Sequence, residues 1–105
     1  MAELLFEVLT PVGVFVRCSR AYWEFIVGRK HPVLSGCEGE VRRVLQEPDE
    51  VRRSRRDTKV LLFYRRLESR WLCAAIRRED DSGFLVTAYP TDAIKAGETI
   101  WRRSR

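Results

Sequence analysis

Apolar and polar positions alternate along the chain in two rhythms, and the change of rhythm divides it. Near the N-terminus two β-prone runs, LLFEVLT (4–10) and VGVFVRCS (12–19), flank Pro11 and Gly13. Turn residues between two such runs predict a hairpin. The next run, AYWEFIV (21–27), is rich in aromatic and β-branched residues but is too short to separate a third strand from a helical turn. A helical rhythm follows in SGCEGEVRRVLQEP (35–48), where Val41, Val44 and Leu45 fall on one face and Pro48 ends the element. Ser35 and Glu38 have capping-box spacing: the hydroxyl serves one free backbone N–H and the carboxylate another.

From residue 50 the period is that of strands. VLLFYRRL (60–67), RWLCAAIRR (70–78) and GFLVTAYP (83–90) are joined by short polar loops, a spacing that suits an antiparallel meander. Near their middles these runs are apolar on both alternations, as expected for strands covered on two sides. DEVRRSRRD (49–57) reads as an edge strand with Val51 pointing inward, and WRRSR (101–105) as a frayed basic tail. The expected fold is α+β, one domain spanning 1–105: a central antiparallel sheet of about four strands, a helix packed on one face and an N-terminal β-hairpin.

The chain has 105 residues, 45% of them hydrophobic and 33% charged, a balance that suits one hydrophobic core and not a disordered chain. Lys and Arg number 20 against 15 acids, a net charge of +5, and only Lys30, Lys59 and Lys95 are lysines. A guanidinium grips phosphate at two points, so the arginine bias points to a nucleic acid partner; an arginine-rich proteome produces the same bias. Three cysteines (Cys18, Cys37, Cys73) cannot all pair and form no C-x-x-C motif, which suggests reduced thiols and a cytoplasmic protein. No apolar run is long enough to span a membrane, and the acidic N-terminus does not resemble a signal peptide. There is no glycine-rich phosphate loop and no zinc-ligand spacing, so no metal or nucleotide cofactor is expected.

Candidate chemistry begins with His31, the one histidine, set directly before Pro32 at the entry to the helix. Imidazole is the side chain that titrates nearest neutrality, the type needed for acid or base work, although a lone histidine also serves as a plain loop residue. In FLVTAYP, Thr87 and Tyr89 share one strand face, with Phe84, Val86 and Ala88 on the other. Tyr64 is a candidate for the same cleft; ordinary sheet decoration is the alternative. Arg52, Arg53, Arg55 and Arg56 surround Ser54 and offer either phosphate grip or protection of a sheet edge. Trp23, Trp71 and Trp101 are candidates for base stacking or for the core.

In order, HP (31–32) before a helix, EPDEVRRSRRD (47–57), LLFYRR (61–66), RWLCAAIRR (70–78) and GFLVTAYPTDAIKAGETIW (83–101) resemble the small phage and toxin nucleases of the barnase/EndoU/colicin/RelE-like superfamily. The resemblance spans residues 12–101. It implies a helical part packed on a four-stranded antiparallel sheet and a metal-independent ribonuclease, often the toxin of a toxin–antitoxin pair. Carried onto this chain, it makes His31 the acid or base and places Tyr64, Thr87 and Tyr89 opposite it on the sheet. Arg53 or Arg55 then grips the phosphate, with Arg65 and Lys95 as further substrate contacts. The implied reaction is attack by the RNA's own 2'-hydroxyl, and the implied partners are RNA and an acidic antitoxin or immunity protein. The rival is a noncatalytic RNA-binding or protein-interaction module.

Overall fold

The computed structural model describes residues 3–104. Strands β1 (Leu4–Leu9) and β2 (Phe15–Ser19) form the hairpin, with Gly13 at φ +80° in its turn, a conformation that favours glycine. Helix α1 (Arg20–Phe25) follows, then a π-helical turn Ile26–Lys30 and a 3-10 turn Pro32–Leu34. Helix α2 (Glu38–Gln46) precedes β3 (Glu50–Ser54), β4 (Val60–Leu67), β5 (Arg70–Glu79), β6 (Ser82–Thr91) and β7 (Gly97–Arg102). The segment 21–27 is therefore helical. Ser19, whose side chain accepts the Tyr22 N–H, caps the first turn and decides a run too short to decide itself.

All seven strands lie in one sheet, in the order β1-β2-β6-β5-β4-β3-β7. The pairing is mixed, since β2 runs parallel to β6. The expected four-stranded antiparallel sheet with a helix across one face is thus incorrect: the hairpin extends the sheet on one side and β7 on the other. Residues 49–57 do not form an edge either, because β7 pairs antiparallel with β3 from Ser54↔Gly97 to Glu50↔Arg102. Trp101 and Arg102, expected in a frayed tail, belong to that strand; Arg105 lies outside the described residues. Ser35 makes no cap. Gly36, at φ +80°, turns the chain after the 3-10 turn, Cys37 occupies the N-cap position, and Glu38 Oε1 accepts the Trp23 indole N–H at 2.9 Å.

The sheet buries both faces, with unequal cover. On the first, α2 sets Val41, Val44 and Leu45 with Phe63, Leu72, Ile76 and Leu85 in the main core. On the second, Leu62, Tyr64, Cys73 and Ala75 form a smaller cluster with Val60, Trp71, Tyr89 and Ile94 around it. Topology explains the second cover. The five residues 92–96 leave β6 and must reach β7, four strand positions away across β5, β4 and β3. In a flat sheet, with the offset along the strands included, that path is roughly 28 Å. Six peptide steps extend only about 20–22 Å. The sheet therefore curls around its second face, and residues 92–96 cross it as a strap. Tyr64 Oη accepts the Lys95 N–H at 3.2 Å, and Arg52 donates to the Lys95 carbonyl at 3.0 Å. Among the described residues no helix is long and apolar enough to cross a membrane.

Candidate functional site

A bulge in β6 sets which side chains reach the second face. The β5–β6 register runs Ala75↔Thr87 and then Ile76↔Leu85, so Val86 is the extra residue. Leu85 and Ala88 are buried on the core side while Phe84 is exposed, which corrects the expectation that Phe84, Val86 and Ala88 share a face. Strand β2 leaves β6 after Arg17↔Phe84, and α1 with its π-turn lies along the freed edge. There the Val86 carbonyl accepts the Tyr22 hydroxyl at 2.7 Å and the Lys30 ammonium at 3.4 Å. This contact anchors the segment that carries His31.

His31 lies between the two turns, its N–H donated to the Ile26 carbonyl at 2.8 Å and its own carbonyl accepting the Leu34 N–H at 3.0 Å. Bonds on both sides hold the backbone, and the ring packs on that of Tyr89 with centroids 5.7 Å apart and a 34° tilt. From the strap, the Lys95 ammonium stands 5.4 Å from the same Tyr89 ring. One phenol ring thus receives an imidazole from the helical segment and a cation from the strap. Cross-strand registers Tyr64↔Cys73 and Cys73↔Tyr89 place the thiol between two phenols.

Beside this group opens a cleft of about 410 Å³, floored by Leu62, Ala75, Thr87 and Tyr89 and rimmed by Ser54, Arg55, Arg56 and Lys95. No carboxylate lines it, and among the described residues none pairs with Arg55, Arg56 or Lys95. The cleft therefore carries uncompensated positive charge, which favours an anion. Thr87 Oγ1 and Tyr89 Oη are buried in the floor with no hydrogen-bond partner in the protein. Burial raises the Tyr89 phenol well above its ordinary range, raises Tyr64 to about 12 and raises Cys73 to about 11, Cys73 itself adding to the shift of both phenols. All three groups are neutral at physiological pH. They serve as donors, not as bases or nucleophiles.

The remaining sequence candidates fall elsewhere. Arg53 alternates to the opposite side of β3 from Arg52 and donates to Glu98 at 2.5 Å. Arg65 donates to the Glu47 carbonyl at 2.6 Å, at the C-terminal end of α2, away from the cleft. The structure thus brings Thr87, Tyr89, Arg55 and Lys95 to one cleft, packs His31 on the Tyr89 ring without making it part of the lining, sets Tyr64 beneath the strap and leaves Arg53 and Arg65 outside. Two residues not singled out from sequence matter here, Cys73 between the phenols and the buried Glu50 under the strap, which pairs with Arg52, a residue offered from sequence only as phosphate grip or edge protection. The opposite charges of Glu50 and Arg52, two residues apart around Val51, were the available signal, since strand alternation sends both to one face.

Among the described residues no three His, Cys, Asp or Glu side chains converge as a metal site. No family model, curated protein or solved structure matches the chain.

Proposed function

We propose that this protein is a metal-independent endoribonuclease that acts on RNA through the cleft beside Tyr89, a reading joined to the resemblance to the barnase/EndoU/colicin/RelE-like nucleases. The observation that carries it is the packing of the lone imidazole, His31, on the ring of Tyr89, which floors a cationic cleft lined by no carboxylate. In this reading Arg55, Arg56 and Lys95 hold the scissile phosphate and the charge that develops on it. His31 takes the proton of the 2'-hydroxyl, the 2'-oxygen bonds to phosphorus, and the bond to the 5'-oxygen breaks to leave a 2',3'-cyclic phosphate. In this reading the departing oxygen takes its proton from the neutral Tyr89 hydroxyl of the floor, once a shift of the strap uncovers it. The protein acts in the cytoplasm, as the toxin of a toxin–antitoxin pair or in a phage-related role, and the same cationic rim is the surface that an acidic antitoxin or immunity protein would cover.

One observation favours a second reading, a noncatalytic RNA-binding module: Thr87 Oγ1 and Tyr89 Oη are buried, and substrate reaches them only if the strap shifts. Incubation of the protein with RNA in excess chelator separates the two. Cleavage to cyclic-phosphate ends that falls at least a hundredfold in His31→Ala and tenfold in Tyr89→Phe supports the enzyme. Intact RNA, bound in a salt-sensitive manner, supports the module.

A further inference from the structure

The strap divides the second face into two basins, and the second basin has a different chemistry. It measures about 510 Å³ and is lined by Asp49, Glu50, Arg66, Trp71, Arg102 and Arg103. Of the three tryptophans, Trp23 is buried in the main core and Trp101 packs against it. Trp71 alone stands on the second face and lines an open basin.

Most charges here are already engaged. Asp49 accepts the Arg66 backbone N–H at 2.7 Å and lies 3.4 Å from Arg103, which also donates to the Glu47 carbonyl at 2.8 Å. Glu50 is held by Arg52 and by the Thr99 hydroxyl at 3.0 Å. Arg102 differs: its side chain is 65% exposed and, among the described residues, its one ion pair runs from Nε to Glu50 at 3.5 Å. Its fork is free to take a ligand. The Arg66 guanidinium lies 5.1 Å from the Trp71 ring centroid. An exposed cation–π contact is weaker than a base stacked on an aromatic ring, so a base displaces it.

We propose that this basin is a nucleobase subsite selective for guanine: Trp71 stacks the base and the Arg102 fork donates to its O6 and N7 edge. The inference rests on the reading that the first cleft holds RNA phosphate. Along β5, Trp71 stands four residues from Ala75 in the floor of the first cleft, so the two basins are about 13 Å apart and suit two nucleotides of one single strand with another between them.

The test is binding of fluorescent 2'-O-methyl hexamers, which cannot be cleaved by this chemistry, with one guanine or one adenine among uridines. The wild-type chain should bind the guanine hexamer at least fivefold more tightly. Trp71→Ala should weaken both by roughly fivefold to a hundredfold, and Trp71→Phe, which keeps a ring and the fold, should recover most of that loss. Arg102→Gln, on an exposed side chain, should abolish the guanine preference, weakening the guanine hexamer several-fold more than the adenine hexamer. If Trp71→Phe, Trp71→Ala and Arg102→Gln all bind as wild type while Arg55→Ala/Arg56→Ala weakens binding, the subsite is overturned and the first cleft stands. If wild type binds neither hexamer, the subsite and the RNA reading both fall.

Discussion

Arg52→Ala tests whether the strap is held by a charged node. Arg52 donates to Glu50 and to the Lys95 carbonyl, and its side chain is 22% exposed against 11% for Glu50. Truncation leaves a largely buried carboxylate with one neutral donor, Thr99, and one exposed cation, Arg102. Breaking a buried pair in this way costs about 3–5 kcal/mol, and the surviving partners place this case at the lower end, about 3 kcal/mol. At 4–8 °C per kcal/mol for a domain of this size, the melting temperature should fall by roughly 15 °C. Glu50→Gln should cost only about 1–2 kcal/mol, since Arg52 keeps the Lys95 carbonyl and the amide still accepts from Thr99. The double variant contains no stranded charge, so it should be more stable than the sum of the single effects by at least about 1 kcal/mol. There is also a pH signature. Burial alone would raise the Glu50 carboxyl, but hydrogen bonds from Arg52 and Thr99, with the charges of Arg52 and Arg102, outweigh it and hold the group below the ordinary carboxylate range. A depressed folded-state value contributes stability that is fully present above the unfolded value and is lost as pH falls through the folded one. Wild type should therefore lose stability more steeply than Arg52→Ala on acidification below the ordinary carboxylate range. Urea denaturation followed by circular dichroism, at neutral pH and stepwise into acid, measures both effects. Strictly additive single variants, or parallel acid limbs, would refute the node.

Two further outcomes follow from the cleft and the thiols. If Arg55, Arg56 and Lys95 contact three phosphates, single-strand RNA affinity should fall with salt at a log–log slope of roughly −2, and each alanine variant should reduce the slope by about 0.7; an unchanged slope removes that residue from the contact set. With an aromatic disulfide reagent at pH 8, the native chain should expose one slow-reacting thiol, Cys37, which is partly exposed and raised by burial and by Glu40 and Glu38. Cys18 and Cys73, buried and each raised to about 11, should react only after unfolding. Native labelling of Cys73 would mean that the strap opens readily.

Local elements were legible in the sequence where each carries its own signal, and pairing between them was not. The runs 4–10, 12–19, 60–67, 70–78 and 83–90 all contain strands, and Val41, Val44 and Leu45 are the buried face of a helix. What failed was the assembly into a small antiparallel sheet. The parallel contact between β2 and β6 covers only Phe15↔Ser82 to Arg17↔Phe84, too few residues to mark either run as parallel. WRRSR looks like a basic tail and 49–57 like an exposed edge because their charges are matched only across the ladder, Arg53 with Glu98 and Glu50 with Arg102. Here paired charges make an interior strand look like an edge.

The site shows the same division for a further reason. His31, Thr87 and Tyr89 were identifiable by residue type, and the bulge at Val86 lay hidden, because inserting one residue in a strand leaves no trace in an alternation only a few residues long. That bulge frees the carbonyl that Tyr22 and Lys30 grip, and so fixes the segment that delivers His31 to Tyr89. Position in the strand order does the rest. Because β6 and β7 lie four places apart and only five residues join them, the connection has to cross the concave face, and Lys95 is carried to Tyr89 by that crossing. A longer connection could have looped around the end of the sheet and left Thr87, Cys73 and Tyr64 on an open surface. The cationic cleft is thus a consequence of a short crossover on a curled sheet, which is why lengthening residues 92–96 with glycines should disperse the site while leaving the main core, on the opposite face, in place.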